Sequence, residues 1–116
     1  MSVASRGEVW LADLGPTTGS HVQLGRQPVV VLQIDDLLPL NTVVVIPLTT
    51  DLKRAEFQHN VLILAGEAGQ DSASVALCHH VRAVDRHALI HKIGDLTPER
   101  LGEVEAAVRF VLGLPS

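Results

Sequence analysis

The chain has 116 residues, of which 47% are hydrophobic, and a net charge of −4. This length suits one domain covering residues 1–116, and the apolar content excludes an intrinsically disordered chain, which combines low hydrophobicity with high net charge. The excess of acidic over basic residues excludes a protein that coats nucleic acid through an overall basic surface, so a nucleic-acid ligand would need a local groove.

Nothing in the sequence points to secretion or to a membrane. The single cysteine, Cys78, cannot form an internal disulfide. No apolar run reaches the roughly 18 residues that a membrane span requires, and no basic segment followed by an apolar one opens the chain. We therefore expect a cytoplasmic protein without a membrane segment.

The first half of the chain predicts three strands separated by polar loops. Gly7–Leu14 has the length and mixed polarity of a half-buried strand. The β-branched runs Pro28–Ile34 and Thr42–Leu48 predict strands buried on both faces. The polar segment Thr17–Gln27 is long for a connection in a small domain, and loops of this length are often functional. A second polar loop covers Thr49–Gln58.

The second half predicts short strands and then a change to helical periodicity. The short strands are Asn60–Leu64, Ser74–Leu77, Val81–Val84 and Lys92–Leu96. No helix is predicted between any two strands, which argues against a parallel sheet with crossover helices. The pattern predicts a mainly β (α+β) domain, a small barrel with one helix packed on it.

The terminal helix has clear start and stop signals. Thr97 is a good N-cap, Pro98 suits the first helical position, and Gly113 suits the position after the last turn. Glu105 and Arg109 are spaced to form an ion pair on the outer side. The apolar positions recur at helical spacing at Leu101, Val104, Val108 and Val111.

Histidine and cysteine are the residue types that invite a metal or nucleophile hypothesis. The six histidines are His21, His59, His79, His80, His87 and His91. His87 and His91 are four apart but lack a helical context, so we expect ordinary hydrogen-bonded histidines and no metal or other cofactor. Cys78 continues an apolar run and is best interpreted as a small buried hydrophobe. A nucleophilic pair with His79 or His80 is the less favoured alternative.

Four segments taken in order carry a family resemblance. They are GEVWLADLGPTTGS (residues 7–20), an Arg-x-Pro run into VVVLQ, VVVIPLTT (43–50) and SVALCHHVRAVDRHALIHKIGDL (74–96). The set resembles the MazF/PemK family of toxins over nearly the whole chain. The resemblance implies an SH3-like small β-barrel with a C-terminal α-helix, acting as a homodimer inhibited by a MazE-like antitoxin. It also implies metal-independent cleavage of single-stranded RNA to 2′,3′-cyclic phosphate and 5′-hydroxyl ends.

The resemblance assigns the catalytic pair to Arg26 and Thr49. The family's arginine opens the second strand in a Gly-x-Arg-Pro element, which here reads Gly25-Arg26-Gln27-Pro28, so Arg26 stands one position earlier relative to Pro28. The threonine ends the third strand after two apolar residues, and Thr50 is its competitor. A guanidinium offers a bidentate fork to phosphate oxygens, and a threonine hydroxyl adds a further donor.

Three histidines stand where the family has other residues. His79 and His80 replace a common Glu-Gln, and His21 follows Ser20 where an acidic residue is common. Because histidine titrates near neutrality, our hypothesis is that one of the three enters the RNA groove as a proton carrier or a stacking contact. The alternative is a polar lining without a catalytic role. Ser20 is assigned to substrate binding with His21.

The remaining candidate substrate contacts are Ser74 and Lys53. Ser74 matches a family position that contacts RNA, and Asp71-Ser72 offers a rival register. Lys53, like its neighbour Arg54, could bind a phosphate or could simply be a solvated loop charge.

Two alternatives have the same fold but different functions. A CcdB-type gyrase poison is a dimeric barrel that acts through the end of its helix and needs neither Arg26 nor Thr49. A non-catalytic SH3-like module for Pro-rich ligands needs an aromatic-lined groove. The chain has one Trp, two Phe and no Tyr, which disfavours that module and also disfavours base stacking as the main source of RNA affinity.

Overall fold

The computed structural model describes residues 4–15 and 25–115 as a curled, half-barrel sheet with one helix packed against it. The strands are β1 Glu8–Asp13, β2 Arg26–Val31, β3 Thr42–Thr49, β4 Val61–Ile63, β5 Ser74–Ala76, β6 Arg82–Asp85 and β7 Leu89–Asp95, and the helix is α1 Pro98–Leu112. This architecture confirms the predicted fold class. Within these residues no helix has the length and apolar character needed to span a membrane.

Antiparallel pairing orders the strands as β4-β5-β3-β2-β1-β7. One edge of β3 is shared, because β6 pairs with its first half at 42–45 and β5 pairs with its last two residues, Leu48 and Thr49. The chain between β5 and β6 forms a single 3₁₀ turn, Cys78–His80, beside the middle of β3. This turn is therefore held on the sheet by the strands on both sides of it.

The observed β2 differs from the predicted strand at both ends. It begins at Arg26, so Arg26 and Gln27 are strand residues and not part of the predicted loop, and it ends at Val31 and not at Ile34. The pairing with β1 explains the earlier start, since Asp13 lies across from Arg26 and Ala12 across from Gln27. In the same way, β7 begins three residues earlier than predicted because Leu89 and His91 pair with β1.

The two central strands are buried on both faces, as their β-branched runs predict. Val29, Val30 and Val31 have no exposed surface. Successive side chains alternate between faces, and the core accordingly divides into two clusters. The helix face packs against α1 through residues including Val9, Val30, Ile46 and Leu48, and the opposite face, here the Trp10 face, includes Trp10, Val29, Val31, Val43 and Val45.

Helix α1 has the predicted caps and the predicted buried stripe. The Thr97 hydroxyl accepts the N–H of Arg100 at 3.1 Å, and Gly113 adopts the left-handed conformation (φ 68°) that ends the helix. Val104 and Val108 face the core. The predicted pair between Glu105 and Arg109 is wrong, because Glu105 instead pairs with Arg6 from the N-terminal segment. This contact ties the segment before β1 to α1.

Candidate functional site

The beginning of β2 and the end of β3 lie side by side. The register pairs Val29 with Pro47, and continuing it by two positions places Gln27 across from Thr49 and Arg26 across from Thr50. Paired residues of antiparallel strands have Cα atoms roughly 5 Å apart. On this continued register the backbones of Arg26 and Thr49 occupy neighbouring positions at one rim of the sheet, and the catalytic roles expected of the two residues stay predictions.

The side chains of these residues leave the sheet on different faces. Thr49 is four residues beyond Val45 and shares its Trp10 face, and Gln27 shares that face because it is two residues from Val29. Arg26 is displaced to the other face and is exposed, across from the exposed Asp13. Because Arg26 stands one position earlier relative to Pro28 than the family pattern has it, the Gln27 amide and not the guanidinium lies on the Thr49 face. Sequence reasoning did not identify Gln27, although its place directly before Pro28 was the available signal.

The Thr49 hydroxyl is held in a tight turn at the strand end. Its Oγ1 accepts the N–H of Asp51 at 3.2 Å, and the Asp51 carboxylate in turn accepts the N–H of Lys53 at 3.3 Å. Because Oγ1 acts as an acceptor towards the backbone, its own O–H remains available to donate to a ligand. Lys53 is exposed in the 3₁₀ turn that follows.

A chain of aromatic rings lies next to this loop. Phe57 stacks on His59 with ring centroids 5.4 Å apart, His59 meets the edge of His79 at 4.7 Å, and His79 meets His80 at 4.0 Å. Two of these rings come from the segment after β3 and two from the turn after β5. An open cavity of about 410 Å³ is lined by Arg54, Phe57, His59 and His79. We call these four residues the ring pocket.

The environment keeps the two adjacent histidines neutral. Partial burial lowers the pKa of His79, and the neighbouring His59 and Arg54 lower it further. The pKa of His80 is lowered by burial and then by His79, Arg54 and His59. Among the described residues, each side chain whose electrostatic effect lowers these two pKa values is basic. Two imidazoles that are unprotonated near neutral pH can therefore accept protons or stack on other rings.

The structure places the serine candidates less favourably. Ser74 is only 2% exposed, so its hydroxyl does not reach the surface, whereas Ser72 in the rival register is exposed. Ser74 and Ala76 lie on the same side of β5, and Ala76 packs in the helix-face cluster. Ser20 and His21 lie outside the described residues.

Cys78 has the properties of a buried structural residue. Its Sγ lies 3.6 Å from the carbonyl oxygen of Ala76, and burial raises the pKa of its thiol to about 12. A thiol that stays protonated is a poor nucleophile. This confirms the predicted buried hydrophobe and removes the support for a Cys–His pair.

The described histidines are in different parts of the fold. His87 pairs with Asp85 at 3.0 Å in the turn before β7, whereas His59, His79 and His80 belong to the ring chain. In the part of the chain that the structure describes, no three His, Cys, Asp or Glu side chains are grouped so that they could bind a metal ion.

Comparison with known proteins identifies one family over most of the chain. Residues 5–112 match the model of the PemK-like, MazF-like toxins of type II toxin–antitoxin systems. The chain is 34% identical to endoribonuclease EndoA of Bacillus subtilis over 113 residues, which cover 97% of each protein. It is 36% identical to endoribonuclease MazF of Staphylococcus saprophyticus over 110 residues, which cover 94% of this chain and 91% of that protein.

Solved structures of similar proteins have the same fold. MazF from Deinococcus radiodurans superposes with a TM-score of 0.83 at 23% identity, covering 98% of this chain and all of that one. A mycobacterial endoribonuclease in complex with its cognate antitoxin gives a TM-score of 0.79 at 21% identity, covering 97% and 98%.

Proposed function

Because the chain belongs to the PemK-like, MazF-like family of type II toxins, we propose that Thr49 and Arg26 carry out metal-independent cleavage of single-stranded RNA. The chain is a toxin of the endoribonuclease type, as its full-length similarity to two endoribonucleases indicates. This similarity also sets aside the gyrase-poison and non-catalytic alternatives. The observation that carries the residue assignment is the convergence of the β2 start and the β3 end on one rim of the sheet.

In the proposed reaction, the 2′-hydroxyl of the substrate attacks the adjacent phosphorus and the bond from phosphorus to the 5′-oxygen breaks. The 2′-hydroxyl proton passes to a base and the departing 5′-oxygen receives a proton, which leaves a 2′,3′-cyclic phosphate and a 5′-hydroxyl. Negative charge builds on the non-bridging oxygens, where preorganised donors have their greatest effect. The free O–H of Thr49 and the guanidinium of Arg26 are proposed as these donors. The requirement for a 2′-hydroxyl restricts the substrate to RNA.

The sheet face on which each side chain lies refines the assignment of the phosphate donors. The Gln27 amide leaves the strand on the Thr49 face, so it is proposed as a neutral donor beside Thr49. Arg26 occupies the first residue of β2 and is exposed, so its long side chain is free to curve around the strand end towards the same phosphate. Together the three side chains would surround a phosphate at the rim of the sheet.

The neutral histidines are proposed as the polar wall of the RNA groove. His79 and His80 are unprotonated near neutral pH and are held in a turn anchored to β3, so one of them could accept the 2′-hydroxyl proton while the other contacts a base. His21 and Ser20 complete the same set as sequence-based candidates, and Lys53 is proposed to bind a flanking phosphate. We propose that the substrate contact near Ser74 is made by Ser72, because the Ser74 side chain is buried.

The partners and the location are proposed from the family. MazF structures from Deinococcus radiodurans include complexes named MazE–MazF, and we propose that this chain likewise acts as a homodimer inhibited by a MazE-like antitoxin. An antitoxin segment that covers the phosphate-binding rim should be acidic, since electrostatic complementarity favours the specific partner. The proposed site of action is the cytoplasm.

The direct test is to incubate the purified protein with a long single-stranded RNA in EDTA and to map the cuts. Wild-type protein should cut at defined sequences, Thr49→Ala and Arg26→Ala should lose the activity, and Thr50→Ala is the matched control that should retain it. The new ends should accept phosphate from a polynucleotide kinase without prior dephosphorylation, as 5′-hydroxyls do. Intact RNA with the wild-type protein would disprove the nuclease assignment, and loss of activity in Thr50→Ala alone would move the catalytic threonine by one position.

A further inference from the structure

The ring pocket lies beside the rim of the sheet where β2 starts and β3 ends. We propose that Arg54, Phe57, His59 and His79 form a subsite that holds one nucleotide of the RNA away from the cleaved phosphate. This inference rests on the endoribonuclease function proposed above, because it assumes a single-stranded RNA ligand. Neither the resemblance nor the sequence pattern assigned a role to Phe57 or to His59.

The geometry of the pocket suits a base and a phosphate together. Phe57 and His59 are stacked with an angle of 27° between their planes, and Phe57 is 51% exposed, so a flat apolar surface faces the solvent. Nucleobases stack on such surfaces in single-stranded RNA complexes. Arg54 lines the same cavity, and a guanidinium can pair with the phosphate of the stacked nucleotide. The volume of about 410 Å³ is within the range of small-ligand sites.

Hydrogen bonds hold both walls of the pocket although much of it comes from a loop. The buried side chain of Asn60 donates from Nδ2 to the carbonyl oxygen of Arg54 at 3.0 Å, and its backbone N–H donates to Phe57 at 3.0 Å. On the other wall, the N–H of His80 donates to the carbonyl oxygen of Leu77 at 2.8 Å. A preformed surface loses less conformational entropy when a ligand binds than a mobile one does.

Both walls of the pocket are formed by chain segments that continue from the rim of the sheet that carries Thr49. Arg54 and Phe57 lie on the segment that continues from Thr49, and His79 lies four residues after Val75, which pairs with Thr49. At the rise of an extended chain, four residues span at most roughly 13 Å. An RNA bound for cutting at Thr49 therefore brings a neighbouring nucleotide within reach of the pocket. The pocket should accordingly contribute to affinity and sequence preference more than to the chemical step.

The test measures the affinity of a short fluorescent single-stranded RNA carrying 2′-O-methyl groups, which prevent cleavage, by anisotropy. Phe57→Leu and His59→Ala should bind about 5- to 30-fold more weakly than wild type, the lower part of the effect of removing one base-stacking contact. Phe57→Trp should restore tight binding, because it keeps a planar ring where leucine keeps only apolar surface. His87→Ala is the matched control for removal of an exposed histidine elsewhere and should bind as wild type does.

The outcomes separate this inference from the proposed function. The subsite is overturned if wild-type protein cuts RNA and the Phe57→Leu and His59→Ala variants bind RNA as tightly as wild type does. The nuclease function would still stand in that case. Weaker binding of a protein partner by these variants would not rescue the subsite. Weaker binding accompanied by a change in oligomeric state in size-exclusion chromatography also overturns it, because the pocket would then be a contact between copies of the chain. A wild-type protein that neither binds nor cuts RNA removes the proposed function and the subsite with it.

Discussion

Exchanging Arg26 and Gln27 is the perturbation that tests most directly how the strand start serves the active site. In the wild-type order the guanidinium emerges on the helix face and the amide on the Thr49 face. The double variant Arg26→Gln/Gln27→Arg reverses the two without changing composition or charge. It also places an arginine directly before Pro28, which is the order that the family resemblance leads one to expect.

The size of the effect follows from strand geometry and donor strength. Adjacent strands are about 4.8 Å apart and rise about 3.3 Å per residue, so the Cα atoms of Arg26 and Thr49 should be roughly 6 Å apart and those of Gln27 and Thr49 about 5 Å. Loss of one donor to a developing oxyanion typically costs about 10²–10³-fold in rate, and ionised donors form bonds roughly twice as strong as neutral ones. We expect a loss of about 10²–10³-fold for Arg26→Ala and about 10-fold for Gln27→Ala. The exchanged variant should cleave at least as fast as wild type.

The assay is the initial rate of cleavage of a fluorogenic single-stranded RNA in EDTA, at subsaturating and saturating substrate so that kcat and KM are separated. Thermal melting of each variant checks that the fold is intact. A large loss in Gln27→Ala with near-normal activity in Arg26→Ala would refute the reasoning, because it would make the neutral amide the principal donor. Inactivity of the folded exchanged variant would show that an arginine on the Thr49 face does not reach the phosphate.

Three further predictions concern stability and reactivity. Gly94→Ala should lower the unfolding free energy by about 1–3 kcal/mol, because the added Cβ would lie 2.4 Å from backbone atoms of a neighbouring turn. Gly102→Ala lies in α1 with open space around the added Cβ and should raise the unfolding free energy by about 0.5–1 kcal/mol. Urea denaturation measures both changes. Cys78, with a pKa of about 12, should resist a disulfide reagent in the native protein at about pH 8, and Cys78→Ala should retain cleavage; rapid labelling would contradict its burial. Because the pKa values of His79 and His80 are lowered in the folded protein, the unfolded chain binds more protons, and stability should fall as the pH drops through 6.5. Replacing both histidines by Asn should flatten this pH dependence in thermal melts at several pH values.

The local patterns predicted most of the secondary structure. The β-branched runs in the centre of the chain are strands buried on both faces, and the signals at Thr97 and Gly113 bound the helix, because capping and hydrophobic periodicity depend on residues close in sequence. The errors lie at strand ends. Arg26 and Gln27 were expected in a loop, yet pairing with β1 extends β2 over them.

The candidate site was predictable only in part. Thr49 was found at the end of β3 as its context predicts, but the sequence does not show that Ser74 is buried or that Glu105 turns to Arg6. Both facts depend on contacts between segments far apart in the chain. Side-chain type alone carries no information about which distant surface will cover it.

Ordered local motifs in the sequence were therefore enough to indicate the family, the order of the elements and the position of Thr49 at the end of β3. The face of the sheet on which Arg26 and Gln27 lie depends on the pairing of distant strands, because a shift of one residue in a strand moves a side chain to the opposite face. Only the tertiary structure assembled the ring pocket, because the pairing of β4 with β5 brings His59 beside His79 across 20 positions of sequence. Both decisions depend on strand register, which is set by the packing of the whole sheet.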